Sequence, residues 1–297
     1  MKKIIRFVLA AMVCVVVMVL PAEAAVVMID PGHGGEGTEG CGAIYPPYIE
    51  KSLTLDLASK LCGELNGMGI SADMTRTTDK ALSLPERANI AKNSGAKLLV
   101  SIHFNASAPH DKSGTAVWTS MFGNHYKVGA ECGGQVLSQL SALGLPSKGI
   151  WTKAGSQGDY YGVIRYGTSL GIPTIIIEHC YMDHPYDRSI MEKVGTAGFA
   201  HADATGIAGF IGGATGQALI NGGLDLSVSS LATVPNTSTG AGGAPGASSN
   251  LKSNFTDSEW QWLLSQWAYT GNAEAVMSQV PLSDLKALVE EHKKGNI

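Results

Sequence analysis

The chain has 297 residues, 44% of them hydrophobic and 15% charged, with a formal net charge of −4. That is enough for one sizeable core, or for one domain with an appendage, without a staple of disulfides or structural metal. The apolar fraction excludes disorder throughout and no repeat period is visible. The lack of a Lys/Arg run beyond the N-terminal segment argues against nucleic acid as a partner.

Residues 1–24 read as a signal peptide. Lys2, Lys3 and Arg6 form a basic start, residues 7–20 are almost wholly apolar, and Pro21 breaks the run before Ala22-Glu23-Ala24, a small-residue cleavage pattern. The apolar stretch is short for a membrane span, so export and cleavage with no stable membrane insertion afterwards is the expectation. Cys14 lies within that stretch without a lipidation motif before it. The remaining chain carries 18 Lys and Arg against 24 Asp and Glu, or −6, a surface that does not seek anionic polymers. Cys41, Cys62, Cys132 and Cys180 also remain. Export permits disulfides, but four cysteines allow three pairings, and the sequence does not choose among those or free thiols.

Residues 25–212 alternate between strand and helix patterns. Val26–Ile29 is a short apolar strand running into a Gly-rich loop. Leu53, Leu57, Leu61 and Leu65 recur four residues apart, an amphipathic helix closed by Gly67 and Gly69. Met68–Arg76 reads as an edge strand, and Ser83-Leu84-Pro85-Glu86 is a capping box that opens a helix to Ser94. Lys97–Ile102 and Thr115–Thr119 read as strands, and Gln135–Leu143 as a helix. Pro173–Ile177 is a β-branched run suited to a central strand buried on both faces, and residues 188–211 supply a last helix. The alternation specifies an α/β fold on a twisted, mostly parallel sheet flanked by helices.

After Gly213 the composition changes. Residues 213–252 read as a linker, most clearly where Asn236–Asn250 is nearly all Ser, Thr, Gly, Ala and Pro. Residues 253–297 read as a small helical hairpin. Thr256–Glu259 is a capping box, Trp260, Leu263, Leu264 and Trp267 share one helix face, and Ser283–His292 fits a second helix. So few residues make only a marginal domain, and three docking partners stay open: the chain's own domain, another copy, or a component of the surroundings.

Four ionisable residues fall where such a fold places a ligand crevice. His33 follows the first strand within Asp30-Pro31-Gly32-His33-Gly34-Gly35, His103 ends the third within Ser101-Ile102-His103-Phe104-Asn105, and Glu178 follows three isoleucines. All three stand at carboxyl ends of strands. Glu50 begins the first helix on its buried face, where a carboxylate needs a cationic partner. Two histidines and a carboxylate converging there fit a catalytic zinc site of the His₂Glu type with a fourth position open.

These segments, with Thr75-Arg76 and Asp79 and with Leu84–Ala91, stand in the order and spacing of one family. Over about residues 25–212 the chain resembles the zinc-dependent N-acetylmuramoyl-L-alanine amidases of the amidase 3 type. The resemblance implies a six-stranded sheet and a single zinc held by His33, Glu50 and His103. It implies hydrolysis of the amide between N-acetylmuramic acid and L-alanine in peptidoglycan by zinc-activated water, with Glu178 as general base and acid. Asn105, on the strand face of His103, is a candidate for orienting a ligand or touching substrate.

The family often continues after that glutamate with a Gly-Phe-like pair, whereas this chain has His179-Cys180. By strand alternation His179 points away from Glu178, as a core histidine or one behind the ligands, with contact to a product carboxylate also open; Cys180 points the same way as Glu178. Asp183, His184 and Asp187 read as a capped turn, and His110 and His125 as exposed. The 106–114 connection is too short for the occluding helix that some relatives carry. A zinc peptidase acting within the stem peptide, or a wall-binding protein without turnover, are the competing readings.

Overall fold

The computed structural model describes residues 26–227 and 252–267, with Lys286, Val289, Glu290 and Lys293 beyond them. The signal peptide expected over residues 1–24 and most of the expected linker lie outside the described residues. The elements, in chain order, are β1 (Val27–Pro31), α1 (Thr38–Cys41), β2 (Ile44–Tyr45), β3 (Tyr48–Ile49), α2 (Glu50–Gly67) and β4 (Ala72–Met74). Then come α3 (Leu84–Asn93), β5 (Leu98–Asn105), β6 (Thr115–Thr119), α4 (Gly123–Ala142), β7 (Ser147–Trp151), β8 (Ala154–Gly155) and β9 (Gly158–Asp159). The last are α5 (Gly162–Ser169), β10 (Thr174–Tyr181), α6 (Pro185–Gly212), α7 (Ala214–Ile220) and α8 (Asp257–Trp267).

Six strands form one sheet in the order β4-β1-β5-β10-β6-β7. The first four run parallel, β6 runs antiparallel to β10, and β7 follows β6 in parallel. Successive side chains leave a strand on opposite faces, so Ile175 and Ile177 join one core and Ile176 the other. The larger core packs α2, α4 and α6 against the sheet, and the smaller one packs α3 and α5. Each fully buried isoleucine contributes about 1.5–3 kcal/mol of transfer free energy, which explains the β-branched run at the centre.

The amphipathic first helix, the capping box at Ser83 and the central strand lie where the sequence puts them. The helix expected at Gln135–Leu143 begins twelve residues earlier, at Gly123. Its glycines lower helix propensity, but a Cβ at Gly129 or Gly133 would collide with Thr119 or Val117, so close packing on β6 selects them. β7 and α5 are additions. The segment read as linker from residue 213 starts instead with α7, and Leu224 and Leu226 pack onto the main core. Asn124 Nδ2 and His125 Nε2 meet the carbonyls of Asp225 and Leu226 at 3.0 and 3.2 Å. In the tail, Trp260, Leu263 and Val289 are buried, and Lys293 pairs with Glu259 at 2.6 Å. Lys286, Val289 and Glu290 are helical; the rest of the second expected tail helix is outside the described residues. No helix among the described residues is long and apolar enough to cross a membrane.

Candidate metal centre

The parallel strands β1, β5 and β10 deliver the three strand-end residues to one edge of the sheet. His33 sits just past β1 in a left-handed conformation, φ 61°, that glycine neighbours make reachable. A Cβ at Gly32 would run into the His103 ring, and one at Gly42, itself at φ 68°, into Glu50 and His33. Those two glycines let backbone pass directly beside the side chains that converge here.

Glu50, the first residue of α2, is buried between the histidines. Its Oε2 lies 3.1 Å from His33 Nε2 and accepts the Ala43 N–H at 2.7 Å. Its Oε1 lies 2.9 Å from His103 Nδ1 and accepts the Phe104 N–H at 3.1 Å. Burial opposes the charge of this carboxylate, but the hydrogen bonds to His103 and His33 and their nearby charge prevail and hold its pKa far below the usual range. One ligand atom from each of His33, Glu50 and His103 falls within 4.8 Å of the others. Two imidazoles and one carboxylate, gathered on a sheet edge where both rings remain partly exposed, are a donor set that fits a zinc ion.

Glu178 completes the edge. It stands opposite His103 in the β10–β5 register, and its Oε2 is buried with no hydrogen-bond partner among the described residues. Burial pushes its pKa up to about 7, with Glu50 adding to the rise and the histidines opposing it. A carboxyl poised there can both take and return a proton near neutral pH.

A buried polar network fixes the His33 loop. Arg87 donates to Asp30 Oδ1 at 2.7 Å and to the carbonyls of Pro31 and His33 at 2.8 and 2.6 Å. Arg76 donates to the carbonyls of Pro31 and Gly32 at 3.0 and 2.9 Å, and Thr54 also donates to Gly32 O at 2.8 Å. Asp30 in turn accepts from Thr75 and Ser101 at 2.6 and 2.8 Å. Arg76 and Arg87 belong to recognisable segments, yet nothing local in the sequence announces that two guanidiniums grip three consecutive carbonyls around a histidine.

The residues after Glu178 depart from simple alternation. A register shift between Glu178 and Tyr181 turns Cys180 into the main core, completely buried, rather than toward Glu178. The four cysteines of residues 26–227 are free thiols. His179 is also sealed, stacked on Phe104, with Nδ1 3.0 Å from the His103 carbonyl and Nε2 2.8 Å from Asp203 Oδ2. No substrate carboxylate reaches it there. Asn105 ends β5 half-buried, its carbonyl accepting the Met182 N–H at 2.8 Å.

Asp183 and Asp187 do more than cap a turn. Asp183 Oδ2 accepts the Ser107 N–H at 2.8 Å and lies 2.7 Å from His110 Nδ1. Asp187 Oδ2 accepts the Gly114 N–H at 2.7 Å, so both ends of the 106–114 loop are pinned beside the site. His125, expected at the surface, is buried on α4 because the chain after α7 covers it.

An open α/β sheet carrying a His-Glu-His cluster at its carboxyl edge, with a desolvated glutamate opposite, defines the class of domain. Residues 27–209 match the family model described as N-acetylmuramoyl-L-alanine amidase. The chain belongs to that family. It is 30% identical over 176 residues to the N-acetylmuramoyl-L-alanine amidase LytC of Bacillus subtilis, covering 58% of this chain and 32% of that protein. It is 28% identical over 217 residues to the amidase Rv3717 of Mycobacterium tuberculosis, covering 64% of this chain and 89% of that one. The crystal structure of an N-acetylmuramoyl-L-alanine amidase from Clostridium difficile 630 superposes with a TM-score of 0.54 at 26% identity, covering 64% of this chain and 98% of that chain. The chain spans between about a third and about half the length of the curated relatives it first matches.

Proposed function

We propose that this chain is an exported zinc-dependent amidase that cleaves the bond between N-acetylmuramic acid and L-alanine in peptidoglycan. The observation that carries the reading is the convergence of His33, Glu50 and His103 at the sheet edge where Glu178 stands desolvated. Family membership and relatives named as cell wall amidases support the substrate class. In this reading residues 1–24 direct export, residues 25–212 are the catalytic domain, and the tail beyond the linker serves attachment or docking.

His33, Glu50 and His103 would hold the ion. A bound zinc supplies Lewis acidity for the lactyl carbonyl and lowers the pKa of water to about 7. Glu178 Oε2, with no other partner among the described residues, removes a proton from the attacking water. It then passes that proton to the nitrogen of the departing L-alanine, leaving a lactyl carboxylate and a free stem peptide. The guanidiniums of Arg76 and Arg87 act earlier, holding the His33 loop in its left-handed turn so that the edge is assembled before substrate arrives. Asp183 and Asp187 anchor the two ends of the 106–114 loop beside the site.

Incubation of the protein with purified peptidoglycan, with and without zinc chelation, tests the proposal. Mass spectrometry should find intact stem peptides with new L-alanine amino termini, lost on chelation and restored by zinc. New ends within the stem would replace the reading with a peptidase, and binding without new termini would replace it with a wall-binding module.

A further inference from the structure

Four aromatic side chains line the flank of the sheet that leads away from Glu178. Trp118 on β6 meets Trp151 on β7 edge-to-face at 4.7 Å between ring centroids, and meets Tyr161 at 4.9 Å. Tyr161 meets Tyr160 at 5.2 Å, and Lys153 covers one face of the Tyr160 ring at 3.7 Å. The run starts beside the site. Ala116 opposes Glu178 in the antiparallel pairing and Trp118 opposes Ile176, so Trp118 projects from the face of Glu178 as its diagonal neighbour. Diagonal cross-strand neighbours stand about 7–8 Å apart. Burial raises the pKa of the Tyr161 hydroxyl, and the charge of Glu178 adds to the rise.

These rings are not simply core. Tyr160 is 52% exposed, and Trp118, Trp151 and Tyr161 are only partly covered. The Trp151 indole N–H is already used by the Lys148 carbonyl at 2.6 Å, which fixes the ring. Rigid, partly exposed aromatic surface with a polar rim offers large contact area at low entropic cost. The opposite rim differs in chemistry, with His110 beside Asp183 and Arg188 beside Glu192.

We infer that the ridge of Trp118, Trp151, Tyr160 and Tyr161 is the subsite for the glycan strand of the substrate, the sugar rings lying against it while the stem peptide leaves over the charged rim. This rests on the amidase reading, in which the scissile carbonyl is joined to a sugar ring by a short ether linkage, so a saccharide must lie within one ring of Glu178. A neutral pyranose presents apolar C–H faces that suit aromatic rings. A peptide bearing free carboxylates and amines finds its complements on the other side.

The experiment separates binding from catalysis. Zinc-chelated protein is titrated with peptide-free glycan tetrasaccharide, alternating N-acetylglucosamine and N-acetylmuramic acid, and tryptophan fluorescence is read. Wild type should bind saturably; Tyr160→Ala and Trp151→Ala should each weaken binding about five- to tenfold, and Trp151→Phe should restore most of it. With zinc, the same variants should raise KM on glycan-linked substrate about as much, leaving kcat within twofold. Equal glycan binding by wild type and both variants would overturn the inference, as would a loss confined to isolated stem peptide. Amidase activity with no glycan binding in wild type would end the subsite and leave the amidase reading intact. Glycan binding lost in the variants, in a protein releasing no stem peptides, would keep the ridge as a saccharide site and end the amidase reading. Tyr160 is exposed, so its variant remains informative even where Trp151→Ala fails to fold.

Discussion

Glu50 and Glu178 are both largely withdrawn from water at the same sheet edge, yet their surroundings drive them in opposite directions. Each oxygen of Glu50 sits between an imidazole nitrogen and a backbone N–H, and its proton is lost far below the usual range. Glu178 has a buried oxygen with no partner among the described residues, and its pKa climbs to about 7. Burial opposes charge at both positions, so hydrogen bonding decides the outcome. The first carboxylate is built to stay charged and hold cations; the second is built to exchange a proton. Environments that push two carboxyls apart are how one site obtains both roles from one residue type.

The most severe way to break that division is Glu178→Gln. It should lower stem-peptide release by about 10²–10⁴-fold while zinc content measured by mass spectrometry stays unchanged. Glu50→Gln should instead act on the metal, weakening zinc affinity in a chelator competition by more than the ~10–100-fold that follows loss of a group behind a ligand.

Asp203→Asn tests a third buried carboxylate, one that faces a histidine with no open position beside it. Both ring nitrogens of His179 point at acceptors, the His103 carbonyl and Asp203, so a protonated imidazole fits the site best. Leaving it unpaired should cost about 3–5 kcal/mol in urea unfolding. The accompanying change in zinc affinity should be smaller than for Glu50→Gln.

The smallest effect sharpens the comparison by pH. In chelated protein the folded state keeps the Glu178 proton up to about 7, whereas an ordinary glutamate loses it near 4.5. Between those values the folded state binds more protons than the unfolded one, so stability should fall as pH rises, by ~1–3 kcal/mol in all. Glu50, shifted the other way, contributes stability above its unfolded pKa that is lost toward acid. Thermal melts from pH 4 to 8 should show the neutral-side decline in wild type and its absence in Glu178→Gln.

Much of this edge is legible in the sequence. Strand-end placement alone brought His33, His103 and Glu178 to one side, and the buried helix face added Glu50. What stayed hidden was non-local. Asp203 lies 24 residues beyond its partner His179 in the middle of a helix, and Arg87 reaches the His33 carbonyl across 54 residues. Cys180 misled because a two-residue period fails at a register shift, which is set by pairing with β5 rather than by composition. The start of α4 was hidden by glycines whose value lies in contact with β6. His125 was misplaced because the chain that covers it comes from a segment with a linker's composition.

That covering segment also has a directional consequence. Leu224 and Leu226 lie beside Lys97 and Ile172, at the ends of β5 and β10 remote from His103 and Glu178. The segment up to residue 227 therefore ends at the pole opposite the cleft, about 17 Å from His103 by the five-step rise from Leu98 along β5. Residues 219–226 thus close the back of the sheet, and the working edge is left uncovered by that segment.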